Sequence, residues 1–297
     1  MQIPPRVEAR RQLNVKKIAW VTDSTVFLDD DLKQDPDLFI LPMTIYIDEK
    51  EYRDRIDLTP GQFYSMLETT AAIPKTSQPS VGVFQHLYKK LSQDYDAIIS
   101  IHISEKLSGT VSSSRQAAQL TSIPVYTIDS EILTYPLTRL IKYGKALLDH
   151  GHDIKDIVKK INEMKKYSET YVIVGSLEQL HRSGRLKGLS FYLGSILDVK
   201  PIIQIKEGAL QIREKVRGAK KAKQTLTHYF KAAYEQNPVK EAYIFYGLDD
   251  REARVWIETL SGLFPNTNFS AYPLGTVIGV HAGKDTLGIS WFAQHQL

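Results

Sequence analysis

Continuous apolar runs of strand length, rich in Ile and Val, alternate along the chain with segments whose apolar positions recur at helical spacing. That alternation predicts strands followed by helices, the pattern of an α/β fold. Early strands are expected at residues 18–22, 39–47, 97–103 and 125–128. Two of these are nearly pure apolar, which suits parallel strands covered on both faces. Helices are expected at 60–68, 81–91 and 111–120, and over 131–149, where Pro136 either delays the start or kinks the helix. The clearest helix is 153–167: Ile154, Ile157, Val158, Ile161 and Met164 form one stripe, with lysines on the other faces.

Beyond it the pattern changes. Strands are expected at 171–175, 201–206, 210–215, 242–246, 268–272 and 287–292, and helices at 219–233 and 250–263. Glu207-Gly208 separates two strand-like runs by a tight turn, a hairpin signal. This half reads as more antiparallel, an α+β arrangement. The expected organisation is a flexible extension at 1–15, a parallel-sheet α/β domain at 16–167 and an α+β domain at 168–297.

Composition narrows the chemistry. The 297 residues are 42% hydrophobic and carry 38 Lys+Arg against 34 Asp+Glu, a net +4 that does not require nucleic acid as a partner. No cysteine is present, which removes thiol catalysis, disulfides and thiolate metal sites. No apolar run approaches the ~18 residues needed to cross a bilayer, and Met1–Val15 lacks the apolar core of a secretory signal. A cytoplasmic location is the expectation that follows.

Three early strands run into polar loops: Thr22-Asp23-Ser24-Thr25, 104–110, and Asp129-Ser130. Such loops line the crevice at the carboxyl ends of strands in open α/β sheets, where ligands bind. Ser108 reads as the N-cap of the next helix, with free N–H groups beside it that suit a carboxylate or phosphate. Thr76-Ser77-Gln78-Pro79-Ser80 reads as a second hydroxyl-rich helix start, with Ser77 or Gln78 as cap and Pro79 at the first position. Each segment also fits a plain capping loop. Neither has the Gly-rich stretch and Lys of a nucleotide phosphate loop. His281, flanked by Gly279 and Gly283 and placed between strand-like segments, could donate to a carboxylate or be purely structural. No second His stands at metal-ligand spacing, so no metal is expected. Basic residues gather at 182–187 and 213–223, a solvated face or a surface for an anionic partner.

Seven short motifs in order, Thr22-Asp23-Ser24, Thr76 to Ser80, Ser108-Gly109-Thr110, Asp129-Ser130, Ser183-Gly184-Arg185, Lys215-Val216-Arg217 and His281-Ala282-Gly283, resemble the DegV family of fatty-acid-binding proteins. The resemblance runs from about Lys17 to Ala293. It implies a two-domain protein holding one long-chain fatty acid, such as palmitate or oleate, between its halves, with no cofactor. It further implies that the carboxylate is offered to a partner fatty acid kinase, so that the chain itself is a carrier in lipid metabolism or transport rather than an enzyme. Thr76 and Ser108 would hydrogen-bond the carboxylate, with Ser77, Gly109 and His281 beside it, and Arg185 and Arg217 would face the kinase. Departures from the family pattern occur at Lys284-Asp285, Glu105-Lys106 and Leu133-Thr134-Tyr135-Pro136.

Two other readings stand beside this one. Ser108, His281 and either Asp23 or Asp129 supply the residue types of a serine hydrolase, although no Gly-x-Ser-x-Gly elbow exists. A nucleic-acid regulator using 213–223 lacks interleaved aromatics.

Overall fold

A computed structural model describes residues 17–70, 74–186 and 199–293. The expected extension at 1–15 and the basic Lys187 lie outside these residues. In chain order the strands are β1 (Ile18–Asp23), β2 (Leu38–Leu41), β3 (Thr44–Ile47), β4 (Lys50–Arg53), β5 (Lys75–Ser77), β6 (Ala97–His102) and β7 (Val125–Asp129). They continue with β8 (Ser168–Ile173), β9 (Val199–Lys206), β10 (Ala209–Arg217), β11 (Glu241–Tyr246), β12 (Asn268–Pro273) and β13 (Leu287–Phe292).

Every residue of β1 and β6 is buried, the polar Thr22, Asp23, Ser100 and His102 included. Both lie inside an all-parallel sheet of order β2-β1-β6-β7. Ile18 and Trp20 pack on one side with Leu137, Leu140 and Ile157 of the helices Thr134–Asp149 and Ile154–Met164. Ala19 and Val21 pack on the other with Phe84 and Tyr88 of the helix Val81–Leu91 and with Ala117. The strand expected over 39–47 is in fact two, because Pro42 interrupts it. Its second part becomes the middle of a separate small sheet, β4-β3-β5.

The later strands form a six-stranded sheet of order β10-β9-β8-β13-β11-β12, antiparallel except for the β11–β12 pair. One face, carrying Tyr171, Ile173, Ile244, Ile289 and Trp291, is covered by the helices Ala219–Gln236 and Arg251–Leu263 through Leu226, Phe230, Trp256 and Leu260. The opposite face turns toward the first half of the chain. The late helix Thr276–Ala282 packs Val277 and Val280 against Ile45, Phe63 and Tyr64, tying the small sheet to the large one. Among the described residues no helix is long and apolar enough to cross a membrane.

Candidate functional site

Side chains alternate faces along a strand, so residues in register share one face across a sheet. Across the large sheet Phe245, Gly288, Val172 and Ile203 form one such row. Thr170 and Ile205 belong to the next row on the same face. This face is the floor of a cavity enclosing about 850 Å³ of atom-free space, open mouth included. Met43, Ile103, Leu107 and Leu133 of the first half, with Val277 and Ile278 of the late helix, close it from above.

Most of the lining is apolar, with Phe245, Leu274 and Ile203 buried and Leu107, Val172, Leu210 and Ile278 half-buried. The polar lining residues Thr76, Ser108, Arg185 and His281 are half-buried, and Gln78 is exposed. Two further hydroxyls in the lining are already satisfied: Thr170 Oγ1 lies 2.7 Å from Ser290 Oγ, and Thr286 Oγ1 donates to the Ala282 carbonyl at 2.7 Å.

At the polar end Thr76 Oγ1 and His281 Nε2 are 2.8 Å apart. Thr76 of β5 and Gln78 just beyond it line the cavity, while Ser77 Oγ lies 3.5 Å from Tyr46 OH. A Cβ on Gly109 would stand 2.8 Å from Gln78 Nε2, so the glycine lets that amide lie over the Ser108 loop. Ser108 Oγ pairs with Thr110 Oγ1 at 2.8 Å. The Arg185 guanidinium donates to the Ser183 carbonyl and has no carboxylate partner among the described residues. Burial lowers its pKa. Burial, reinforced by the charge of Arg185, depresses His281 to about 3, so the imidazole is neutral at neutral pH. Among the described residues its Nδ1 is buried without a partner.

Several expectations need correction. Ser108 is not an N-cap: the helix begins at Thr110 after Gly109 and has no side-chain cap. Ser80, not Ser77 or Gln78, caps the helix Val81–Leu91, accepting from Val83 N at 3.3 Å. His281 does lie between strands, β12 and β13, but within the short helix Thr276–Ala282 that joins them. Arg217 is exposed at the end of β10, opposite Val199, while Arg185 lines the cavity. Of the expected site residues, the fold brings together Thr76, Ser108, His281 and Arg185.

The hydrolase constellation is not assembled. His281 bonds Thr76, and neither aspartate orients it. Asp23 is fully buried against His102, Oδ2 to Nδ1 3.2 Å, and accepts from Ile103 N at 2.9 Å. Asp129 accepts the amides of Glu105 and Glu131. Among the described residues no group of three or more His, Asp or Glu could hold a metal.

Sequence reasoning missed Gln78 and the pocket side of Arg185. Alternation at 76–78 was the available signal, but a three-residue strand is too short for it to stand out.

The family model described as "Uncharacterised protein, DegV family" matches residues 17–294. Protein DegV of Bacillus subtilis is 35% identical over 277 residues, covering 92% of this chain and 98% of that protein. The solved structure of the Bacillus subtilis fatty-acid-binding protein DegV superposes with a TM-score of 0.84 at 34% identity, covering 93% of this chain and 99% of the other. A fatty-acid-binding DegV family protein of Thermus thermophilus gives a TM-score of 0.84 at 31% identity, covering 94% and 100%.

Proposed function

The chain belongs to the DegV family, and from that premise and the shape of its pocket we propose that it binds one long-chain fatty acid, tail buried and carboxylate at the polar end. The observation that carries this is the lining itself: a mostly apolar wall, with Thr76, Ser108, Arg185 and His281 as its half-exposed polar group. An amphiphile of matching shape has its hydrocarbon out of water and its head group at the mouth. A C16 tail at ~0.8 kcal/mol per methylene supplies on the order of 10 kcal/mol of gross driving force, leaving the head-group contacts to fix orientation.

In this reading Thr76 and Ser108 donate to the carboxylate. His281, neutral, gives its Nε2–H to Thr76 Oγ1, which leaves the threonine proton free for the ligand. Arg185, with no acidic partner among the described residues, balances the anion's charge. The halves 16–167 and 168–297 act as two domains that share the ligand.

The finer proposal is that the chain is a carrier, presenting the acid to a fatty acid kinase that transfers a phosphoryl group to it. Hydroxyl donors support this, because they hold a carboxylate oxygen without engaging it in a bidentate fork. Arg217 on the exposed end of β10 is the docking residue proposed for that partner.

Titration of the delipidated protein with palmitate or oleate tests the binding reading. Thr76→Ala and Ser108→Ala should each weaken acid binding by ~1 kcal/mol, about fivefold, without touching the methyl ester. Equal affinity of the unaltered protein for acid and ester would overturn the head-group assignment.

A further inference from the structure

The polar side chains that line the cavity are not alike in their bonding. Thr76 is paired with His281, Ser108 with Thr110 and Thr170 with Ser290, while Thr286 and Arg185 donate to backbone carbonyls. Gln78 lines the same cavity, and its amide makes no hydrogen bond to any described residue. It is also the exposed member of the set, so it stands at the mouth.

The chain fixes Gln78 from both sides. Before it, Thr76 and Ser77 pair with Ile45 and Thr44 of β3. After it, Pro79 restricts the backbone of residue 78 to extended conformations, and Ser80 caps the helix Val81–Leu91. The side chain then reaches the Ser108 loop. A Cβ on Gly109 would meet three atoms of this one amide first, Nε2 at 2.8 Å, Cδ at 3.0 Å and Oε1 at 3.3 Å. The planar group therefore lies across Gly109, next in the chain to Ser108. With φ at −72° the backbone of Gly109 does not itself demand glycine; the amide above it does.

A carboxylate offers about four acceptor sites, of which the hydroxyls of Thr76 and Ser108 fill two. We infer that Gln78 is a further head-group ligand, its side-chain NH2 donating to the carboxylate on the solvent side of the two hydroxyls. The inference rests on the fatty-acid reading and adds to it a binding residue. Gly109 serves that residue by leaving the amide room over the Ser108 loop. Like the hydroxyls, an amide holds the carboxylate without neutralising it.

The experiment titrates delipidated protein with palmitate and with methyl palmitate, folding of each variant being checked by thermal melt. Gln78→Ala should weaken palmitate binding about fivefold and leave the ester unchanged. Gln78→Glu keeps the side-chain length but sets a carboxylate against that of the ligand. It should weaken palmitate binding more than alanine does, again sparing the ester. Gly109→Ala should reproduce the loss by displacing the amide, and adding it to Gln78→Ala should cost nothing further. Full additivity would overturn the role given to Gly109, and the Gln78 variants carry the test if Gly109→Ala does not fold. Palmitate affinity unchanged in both Gln78 variants would overturn the inference. So would equal losses for acid and ester, the result of a mere cover over the mouth; either outcome leaves fatty-acid binding intact. Unaltered protein that takes up neither ligand would overturn the parent reading, and the amide contact with it.

Discussion

A neutral His281 is a condition of the polar end of the pocket, because a second positive charge beside Arg185 would be buried and uncompensated. The ring is held near pKa 3 by burial and by Arg185, against an ordinary value of 6.5. Between those values the unfolded chain takes up a proton that the native chain refuses. Stability contributed by the neutral ring is therefore complete above about pH 6.5 and is lost as pH falls toward 3. For delipidated protein the expected loss at this one site is about 2 kcal/mol between pH 7 and pH 5. His281→Gln should show a correspondingly flatter fall in urea midpoint over that range; an equal fall in both proteins would contradict the assignment. The residue types at this end were legible in the sequence, since Thr76, Ser108 and His281 are polar groups in segments without a strong element signal. Their meeting was not, because it depends on β5, the loop after β6 and the late helix converging from distant parts of the chain. Asp23 illustrates the converse: a polar residue at a strand end looked like site chemistry but is consumed in bonds to His102, Thr25 and Ile103.

Among the elements, the loop that carries Ser108 is fixed from both halves. Ser104 Oγ donates to the Gly208 carbonyl at 2.7 Å and accepts from Lys106 N at 3.2 Å, and Ser108 N donates to Ser104 O at 3.1 Å. The hairpin tip Glu207-Gly208 is thereby latched to the head-group loop. Ser104→Ala leaves a buried carbonyl and an amide without their partner and should cost about 1–3 kcal/mol in urea unfolding. Ligand affinity should fall as well, through loss of loop order; unchanged stability and affinity would show the latch to be idle. The hairpin itself could be read from Glu207-Gly208, since only a tight turn with positive φ suits that pair between strands, and both residues adopt it. The small sheet could not. Its strands are three or four residues long, and Thr44–Ile47 continues an apolar run that breaks only at Pro42. The same shortness hid the helix around His281, where flanking glycines resembled loop punctuation.

For the molecule as a whole, the alternation of apolar runs with helical periods was enough to read a parallel sheet followed by a mainly antiparallel one. It was silent about the pocket, because both faces of the large sheet are apolar and nothing local distinguishes a face covered by helices from one covered by a ligand. An aromatic seam joins the halves beside that pocket: Tyr135 stacks on Tyr272 at 3.6 Å between centroids, and Phe27 meets Tyr272 edge-on at 4.9 Å. Tyr135→Ala should destabilise the protein by about 3–5 kcal/mol through loss of this packing, read as a lower calorimetric midpoint. A midpoint unchanged within a degree would mean the seam contributes nothing. The central claim, that the space between sheet and first half is an acyl-chain site, is tested most directly by native mass spectrometry of the purified full chain. The account predicts a mass excess equal to one long-chain fatty acid, released on denaturation and restored by adding palmitate or oleate to stripped protein. A lipid-free mass, together with no uptake of either acid by stripped protein, would contradict it.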